Sequence, residues 1–187
     1  DETIKKITSL KFRKPTEKDL PHFFRVRMID VRHFHKDELM DVKGVKSYLS
    51  QTAPVSFNKQ FPFVSKINNY LLRVNGYRSY AVKVNEHLVS RPYSKNILYG
   101  QNSSDNIRDV ELFEFVDDAG DTLARGWFAK MEYLASIPSD FNMRGIRVRQ
   151  GNIQIGSESF LENVFTESRF ASWHIGEIHV SYKLRTN

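Results

Sequence analysis

The fold of this chain is decided by residues 143–156, whose sequence is MRGIRVRQGNIQIG. Ile146 and Val148 alternate there with Arg147 and Arg149, which is the period-two pattern of a β-strand with one face in the core and the other in solvent. The pattern therefore predicts a half-buried strand whose apolar residues point inward and whose arginines point into solvent.

A tight turn follows this strand at Gly151-Asn152. Glycine tolerates the positive φ angle that a two-residue hairpin loop requires. If these two residues form the loop, Gln150 pairs with Ile153, and Val148 pairs with Ile155. The apolar positions of both strands then share one face, so the sequence predicts a β-hairpin with a defined register.

A short helix and a further strand are predicted after the hairpin. Ser157 or Ser159 can cap the helix, and Ser159 and Glu162 have the spacing of a capping box. An apolar stripe lies in the same segment. Trp173 to Tyr182 reads as a strand in which the apolar positions change face at Gly176-Glu177, and such a change indicates a β-bulge. The stripe of the helix consists of Phe160, Leu161, Val164 and Phe165.

Short motifs occur in a fixed order between residues 144 and 179. They resemble the region that follows the nucleotide-binding domain in bacterial ATPases related to the 90-kDa heat-shock chaperone, which belong to the superfamily of gyrase, this chaperone, histidine kinases and MutL. A weaker resemblance covers residues 48–55 and Val84-Asn85. The motifs that carry it are Arg144-Gly145-Ile146-Arg147-Val148-Arg149, Gly151-Asn152-Ile153, Ile155-Gly156, Phe165, Glu167-Ser168-Arg169-Phe170, Trp173 and Ile175-Gly176-Glu177-Ile178-His179.

The resemblance implies an α+β fold of the ribosomal-protein-like transducer type. This fold is a two-layer sandwich in which a mixed β-sheet carries helices on one face and contains a βαβ crossover. On this basis, residues 41–187 are expected to form the middle, or transducer, domain. Residues 1–40 are expected to be the tail of an upstream ATP-binding domain or the connector from it.

The resemblance also implies a function. This region is expected to be a non-catalytic relay of nucleotide state that offers a surface to client proteins, within a parent ATPase that uses ATP and Mg and forms a homodimer. In such proteins a basic side chain of the middle domain contacts the γ-phosphate, and it is expected beyond Asn187. No catalytic, cofactor-binding or metal-binding residue is therefore assigned in this chain, and the chain alone is expected to be inactive.

Composition excludes several classes of protein. The chain has 187 residues, 40% of them hydrophobic, which is enough for a sizeable core. It contains no cysteine, so disulfides, thiolate metal sites and cysteine nucleophiles are excluded. No apolar run approaches the roughly 18 residues of a membrane span. A cytoplasmic protein is expected, and the start at Asp1 rather than Met suggests an excised fragment.

Other secondary structure follows from local patterns. Strands are expected at residues 3–13 and 24–28, and the polar segment 94–106 is expected to be a long surface loop, the least ordered internal part of the chain. The remaining predictions are a core-facing helix capped by Asp41 with Val42, Val45, Tyr48 and Leu49 as its stripe, a helix over 63–74, and hairpins over 80–93 and 110–133.

Two groups of residues invite a metal hypothesis. His33 and His35 flank Phe34 and would face one side of an extended segment, but no third ligand accompanies them. Three aspartates lie in the loop Asp117–Asp121, where acidic side chains normally bond to their own backbone. Neither group is assigned as a metal site.

Two alternative functions are open at this level. A DNA-handling ATPase of the mismatch-repair type would use Arg144, Arg147 and Arg149 as a basic interaction surface, and the net charge of +6 suits an anionic partner. The basic residues are nevertheless spread along the whole chain, so nucleic acid is the less favoured partner. A free-standing hydrolase would use Glu177 and His179, which share a strand face but lack a nucleophile in the sequence pattern.

A set of core residues follows from these predictions. They are the positions at which strand alternation or the helical stripe points toward a common interior. A structure in which Ile146 and Val148 face solvent and Arg147 and Arg149 face inward would contradict the predicted orientation of this strand. The expected core residues are Ile146, Val148, Ile153, Ile155, Trp127, Leu161 and Val180.

Overall fold

The computed structural model describes residues 14, 16, 40–99 and 103–181. Contacts between Cα atoms divide the chain into two units, Asp1–Lys36 and Asp37–Asn187, and nearly all of the described residues belong to the second. The strands predicted at 3–13 and 24–28 and the two histidines at 33 and 35 lie outside the described residues.

The second unit contains two α-helices and nine strands among its described residues. None of its helices is long and apolar enough to cross a membrane, as far as the described residues go. In chain order the elements are α1 (Val42–Thr52), α2 (Val64–Leu71), β1 (Lys83–Val84), β2 (His87–Leu88), β3 (Asn96–Tyr99), β4 (Ser103–Asn106), β5 (Asp109–Val116), β6 (Thr122–Lys130), β7 (Gly145–Gln150), β8 (Ile153–Ile155) and β9 (Ile175–Val180).

A five-stranded sheet in the order β5-β6-β9-β7-β8 forms the centre of this unit. β7 and β9 are parallel, and the other neighbouring pairs are antiparallel. The predicted α+β class and mixed sheet are confirmed. β9 is the middle strand, so both of its edges are paired, and its side chains project alternately from the two faces of the sheet.

The predicted β7–β8 hairpin is confirmed with its register. Gln150 pairs with Ile153, and Val148 pairs with Ile155. The loop residues Gly151 and Asn152 both have positive φ angles, 53° and 70°. The alternation of the strand and the turn chemistry of the loop were sufficient to specify this hairpin because both act between near neighbours in sequence.

The connection from β7 to β9 differs from the expected βαβ crossover. Residues 151–174, all of them described, contain β8 and two 3₁₀ helices but no α-helix. The predicted helix over the capping box is a single 3₁₀ turn, Glu162–Val164, with Phe160 and Val164 exposed. Leu161 and Phe165 are only half-buried, so this short stripe buries too little apolar surface to support an α-helix.

The bulge predicted at Gly176-Glu177 is wrong. β9 pairs in unbroken register with β6 on one side and with β7 on the other. The apolar positions change face because Ile175, Glu177 and His179 are all buried on one side while Ile178 and Val180 lie on the other. A strand that is covered on both faces does not alternate between apolar and polar residues.

The two helices begin and end close to their predicted positions. Asp41 caps α1 by accepting a hydrogen bond from the backbone N–H of Lys43 at 3.1 Å. The core-facing orientation predicted for α1 is wrong for Val42 and Tyr48, which are exposed, whereas α2 buries Ile67 and Leu71.

The segment expected to be a long surface loop is also different. Residues 94–106 include β3 and β4, which pair antiparallel, and Ile97 of β3 is fully buried. The carboxylate of Asp105 accepts hydrogen bonds from the backbone N–H groups of Asn106 and Tyr133. The described parts of this polar segment, whose sequence carries no periodicity, are therefore ordered by strand pairing, one buried side chain and one tertiary hydrogen bond.

The two longer hairpin predictions are confirmed in part. β5 and β6 form the predicted hairpin, and in its acidic loop Asp117 accepts from the N–H groups of Ala119 and Asp121 at 3.0 and 2.9 Å. The aspartates therefore form a turn, as expected. The 80–93 hairpin is reduced to the two-residue strands β1 and β2.

The hydrophobic core lies between α2, the 53–61 segment and one face of the sheet. Trp127 is at its centre, in contact with the rings of Phe57, Phe61 and Tyr93. Of the predicted core residues, Trp127 and Val148 are buried, and Ile153 is 54% exposed, which contradicts its assignment. The half-buried members of the predicted set are Ile146, Ile155, Leu161 and Val180.

Candidate functional site

A cluster of buried polar side chains lies beside the aromatic core, on the same face of the sheet. Burying charged groups is costly unless they are paired, so a cluster of this kind marks a specialised part of a fold. The ionic cluster consists of Arg91, Tyr93, Arg149, Asn152, Glu177 and His179, each at most 1% exposed.

The parallel pair β7–β9 provides half of this cluster. Glu177 is at the centre of β9, where its register partners are Trp127 on β6 and Arg147 on β7. Arg149 is the register partner of His179. The parallel register therefore sets the arginines of β7 beside the carboxylate and the imidazole of β9.

Arg91 and Tyr93 come from the extended segment after β2. This segment is held next to the 53–57 segment, because the backbone N–H of Arg91 donates to the carbonyl of Ser56 at 2.9 Å. The ring of Phe57 packs against the Arg91 guanidinium, with 4.2 Å from Cζ to the ring centroid. Arg91 therefore enters the cluster between the aromatic core and the sheet.

Glu177 accepts hydrogen bonds from five neighbouring side chains, the longest of them from Trp127 Nε1 to Oε2 at 3.5 Å. Arg149 Nε and the hydroxyl of Tyr93 donate to Oε1 at 2.7 and 3.0 Å, and Arg91 donates to Oε2. His179 Nε2 lies 3.0 Å from Oε2. Burial by itself would raise the pKa of Glu177, but Arg149 and Arg91 outweigh that effect and hold the pKa well below its usual range.

The arginines also donate to backbone carbonyls that belong to other segments. Arg91 Nε donates to the carbonyl of Val55 at 3.1 Å. Arg149 donates through its two terminal nitrogens to the carbonyls of Gln51 and Asn152, at 2.7 and 3.2 Å. Each guanidinium therefore connects the carboxylate of β9 to a loop or a helix end, which is a use of the planar five-donor group that lysine cannot reproduce.

Asn152 joins the hairpin loop to the same cluster. Its side-chain oxygen accepts from Arg91, and its amide nitrogen donates to the carbonyl of Arg78 at 2.8 Å. Asparagine is well suited to this position because it tolerates the positive φ of the loop and offers both a donor and an acceptor. The tip of the β7–β8 hairpin is therefore fixed to the 78–91 segment.

His179 is buried and neutral. Burial lowers its pKa to about 4, although the hydrogen bond to Glu177 and the negative charge of Glu177 act in the opposite direction. Its Nδ1 atom is buried and has no hydrogen-bond partner, and its ring contacts the ring of Tyr77 edge-on at 5.2 Å between centroids. The imidazole therefore has one fixed hydrogen bond and otherwise an aromatic environment.

This geometry does not suit acid–base or nucleophilic catalysis by Glu177 and His179. The two residues share a strand face, as expected, but both are shielded from solvent and occupied by fixed partners. A general base must reach a proton of the substrate, and these groups reach only each other and their protein neighbours. The hydrolase hypothesis therefore loses its two candidate residues.

The basic interaction surface expected at Arg144, Arg147 and Arg149 is not formed. Arg149 is fully buried, and Arg147 is 1% exposed and donates to Gln154 Oε1 and to the carbonyl of Asn142 at 2.8 and 2.9 Å. Arg144 alone is partly exposed, and it pairs with Glu158 at 2.8 Å. Alternation with apolar residues indicated a solvated face, but β7 is an interior strand and its charged face points into the protein.

The sequence patterns missed three members of the cluster, Arg91, Tyr93 and Asn152. Asn152 was assigned only to a turn, and Arg91 reaches Glu177 across 86 positions of the chain. No local spacing can identify a partner at that distance. The signal that was present is the coincidence of Arg149, Asn152 and Glu177 within the motifs that carry the resemblance.

Two further observations concern possible metal ligands and similar proteins. No group of three or more histidine, aspartate or glutamate side chains among the described residues is arranged to hold a metal ion. No family model matches this chain, and no curated protein or solved structure matches it either.

Proposed function

We propose that this chain is the middle, or transducer, module of a chaperone-like ATPase, and that it relays nucleotide state and offers a protein-binding surface. The observation that supports this proposal is the composition of the ionic cluster. Arg149, Asn152, Glu177 and His179 all belong to the motifs between residues 144 and 179 that resemble this class of ATPase. The residues that carry the resemblance are thus the ones that join the segments of the fold.

A relay module must move as one body, and the ionic cluster favours such behaviour. Three segments that are distant in sequence, around residues 51–55, 78–91 and 149–152, are tied to one carboxylate on the central strand. Removing one partner of a buried ion pair leaves an uncompensated charge, which costs about 3–5 kcal/mol. Partial opening of the cluster is therefore unfavourable.

The transducer proposal includes the finer details of the fold and the cellular setting. We infer a two-layer sandwich of the ribosomal-protein-like type, a cytoplasmic parent that binds ATP and Mg, a homodimeric state and an ATP-binding domain upstream in cis. A client protein would bind an outer surface of the module. DNA is a poorer partner, because Arg147 and Arg149 are inside the protein and cannot contact phosphates.

The reading frame upstream of Asp1 provides the first test. The proposal expects it to encode a helix that contains an asparagine and an Asp-x-Gly motif, which would support an ATP site. An upstream region without an ATP-binding domain would overturn the proposal. If the domain is present, the steady-state ATPase rate of the intact protein should fall strongly when this module is deleted.

A further inference from the structure

Helix α1 is joined to the sheet at its C-terminal end. Its first turn, residues 42–44, is exposed, whereas Ser50 near its end is buried. The carbonyl of Gln51 accepts from Arg149 at 2.7 Å, and the side-chain nitrogen of Gln51 donates to Asn142 Oδ1 at 3.1 Å. A free carbonyl in the last turn of a helix is a strong acceptor, and here a buried guanidinium occupies it.

A second arginine holds the chain immediately after the same helix end. Arg91 Nε donates to the carbonyl of Val55 at 3.1 Å, four residues beyond Gln51. Arg91 and Arg149 both bind Glu177, each through a different carboxylate oxygen. Two arginines on one carboxylate therefore clamp the exit of α1 from both sides.

We propose that this clamp, formed by Arg91, Arg149 and Glu177, is a mechanical connection that couples the C-terminal end of α1 to the parallel strands β7 and β9. Opening of the helix end removes the acceptor of a buried guanidinium, and the strain falls on the strand pair that carries Arg149 and Glu177. Coupling of this kind is reciprocal, so loosening the strands also loosens the helix end.

The clamp acts as a two-state element because its charges are fully buried. Arg149 and Glu177 have side chains with 0% exposure, so water cannot replace a lost partner without local opening. The proposal rests on the transducer function at one point only, which is what a movement of α1 would signal to the rest of the parent protein. The connection itself is a property of this chain and can be measured on it alone.

Hydrogen exchange of the complete 187-residue chain, followed by mass spectrometry, tests the connection. Tyr48→Gly weakens α1 at a side chain that is 65% exposed, and the difference in helix propensity should speed exchange at the helix end about twofold. If the clamp couples the two elements, β7 and β9 accelerate by the same factor while β5 does not change. Asn69→Gly, at an exposed position of α2, is the matched control and should leave β7 and β9 unchanged.

The second arm of the experiment removes the clamp. In Arg149→Lys the ammonium can keep one contact but cannot reach Glu177 and the carbonyl of Gln51 together, so exchange at the end of α1 should rise about tenfold or more. In this background Tyr48→Gly should no longer affect β7 and β9. Arg144→Lys, at the partly exposed arginine beside β7, is the matched control for the lost guanidinium and should have no such effect.

Two results would overturn the proposal. One is an unchanged exchange rate in β7 and β9 when Tyr48→Gly loosens the helix. The other is an equal acceleration in β5 and β6, which would mean a loss of global stability. If Arg149→Lys does not fold, Tyr48→Gly and its control still decide the matter. Because no nucleotide is involved, a failure here is separate from a failure of the ATPase relay, which is judged from the upstream reading frame.

Discussion

Acidification should destabilise this protein through His179. The imidazole is neutral in the folded protein because burial lowers its pKa from the ordinary 6.5 to about 4. In the unfolded chain the same group binds a proton below about pH 6.5, so between these two values the unfolded state holds more protons than the folded state. The stabilising contribution is complete above pH 6.5 and is lost as the pH falls toward 4.

The size of this effect follows from the two pKa values. A fall from 6.5 to about 4 corresponds to a loss of about 3 kcal/mol in the free energy of unfolding, a large part of the roughly 5–15 kcal/mol typical of a domain. The low pKa of Glu177 acts in a different range. Its carboxylate stays ionised in the folded protein, so that contribution is lost only below about pH 4. The interval from pH 6.5 to 4.5 therefore separates the contribution of His179 from that of Glu177.

Urea denaturation at a series of pH values between 7 and 4.5 measures the effect. The free energy of unfolding of the wild type should fall across this range, and His179→Gln, which keeps a donor for Glu177, should fall much less. His87→Gln, at an exposed histidine, is the matched control and should retain the dependence of the wild type. A wild-type stability that does not change between pH 7 and 4.5 would refute the reasoning, as would an identical slope in His179→Gln.

Three further outcomes are expected. Glu177→Gln should lower the free energy of unfolding in urea by about 3–5 kcal/mol, because two buried guanidiniums lose their anion. Glu111→Gln, in an exposed ion pair, should change it by at most about 1 kcal/mol. Equal effects of the two substitutions would contradict the importance of burial. Gly126→Ala should lower the free energy of unfolding by about 1–3 kcal/mol in the same assay. A Cβ atom at this position would lie 2.3 Å from Phe113 Cζ and 2.6 Å from the carbonyl oxygen of Glu177. An unchanged free energy of unfolding would mean that the sheet packs less closely. Calorimetry with ATP and magnesium should detect no binding to this chain; a micromolar Kd would show that it holds a nucleotide site of its own.

The burial of Arg147 and Arg149 shows where reasoning from the sequence is weakest. Their alternation with Ile146 and Val148 is identical to that of a strand with one solvated face, and the pattern does not tell which face is covered. The face of β7 that carries the arginines is buried, and this is possible because carboxylates and carbonyls meet the donors of the guanidinium groups. The error therefore concerned the environment of the strand and not its existence.

The polar segment 94–106 illustrates the same limit in another way. It has no periodicity, and a surface loop was the natural interpretation. Its described parts form β3 and β4 instead, where Ile97 is buried and Asp105 accepts from backbone N–H groups, one of which belongs to Tyr133, 28 positions away. Order that depends on a few tertiary contacts leaves no repeating signal in the sequence.

The sequence by itself determined the β7–β8 hairpin and its register, the cap of α1 at Asp41 and the turn in the acidic loop. Each depends on residues within a few positions of one another, where backbone geometry and side-chain hydrogen bonds act directly. Only the tertiary structure decided that Arg149 faces inward, since its partners Glu177 and Gln51 lie 28 and 98 positions away. Whether a charge is solvated or buried depends on which distant segments the fold brings against it, and no local pattern contains that information.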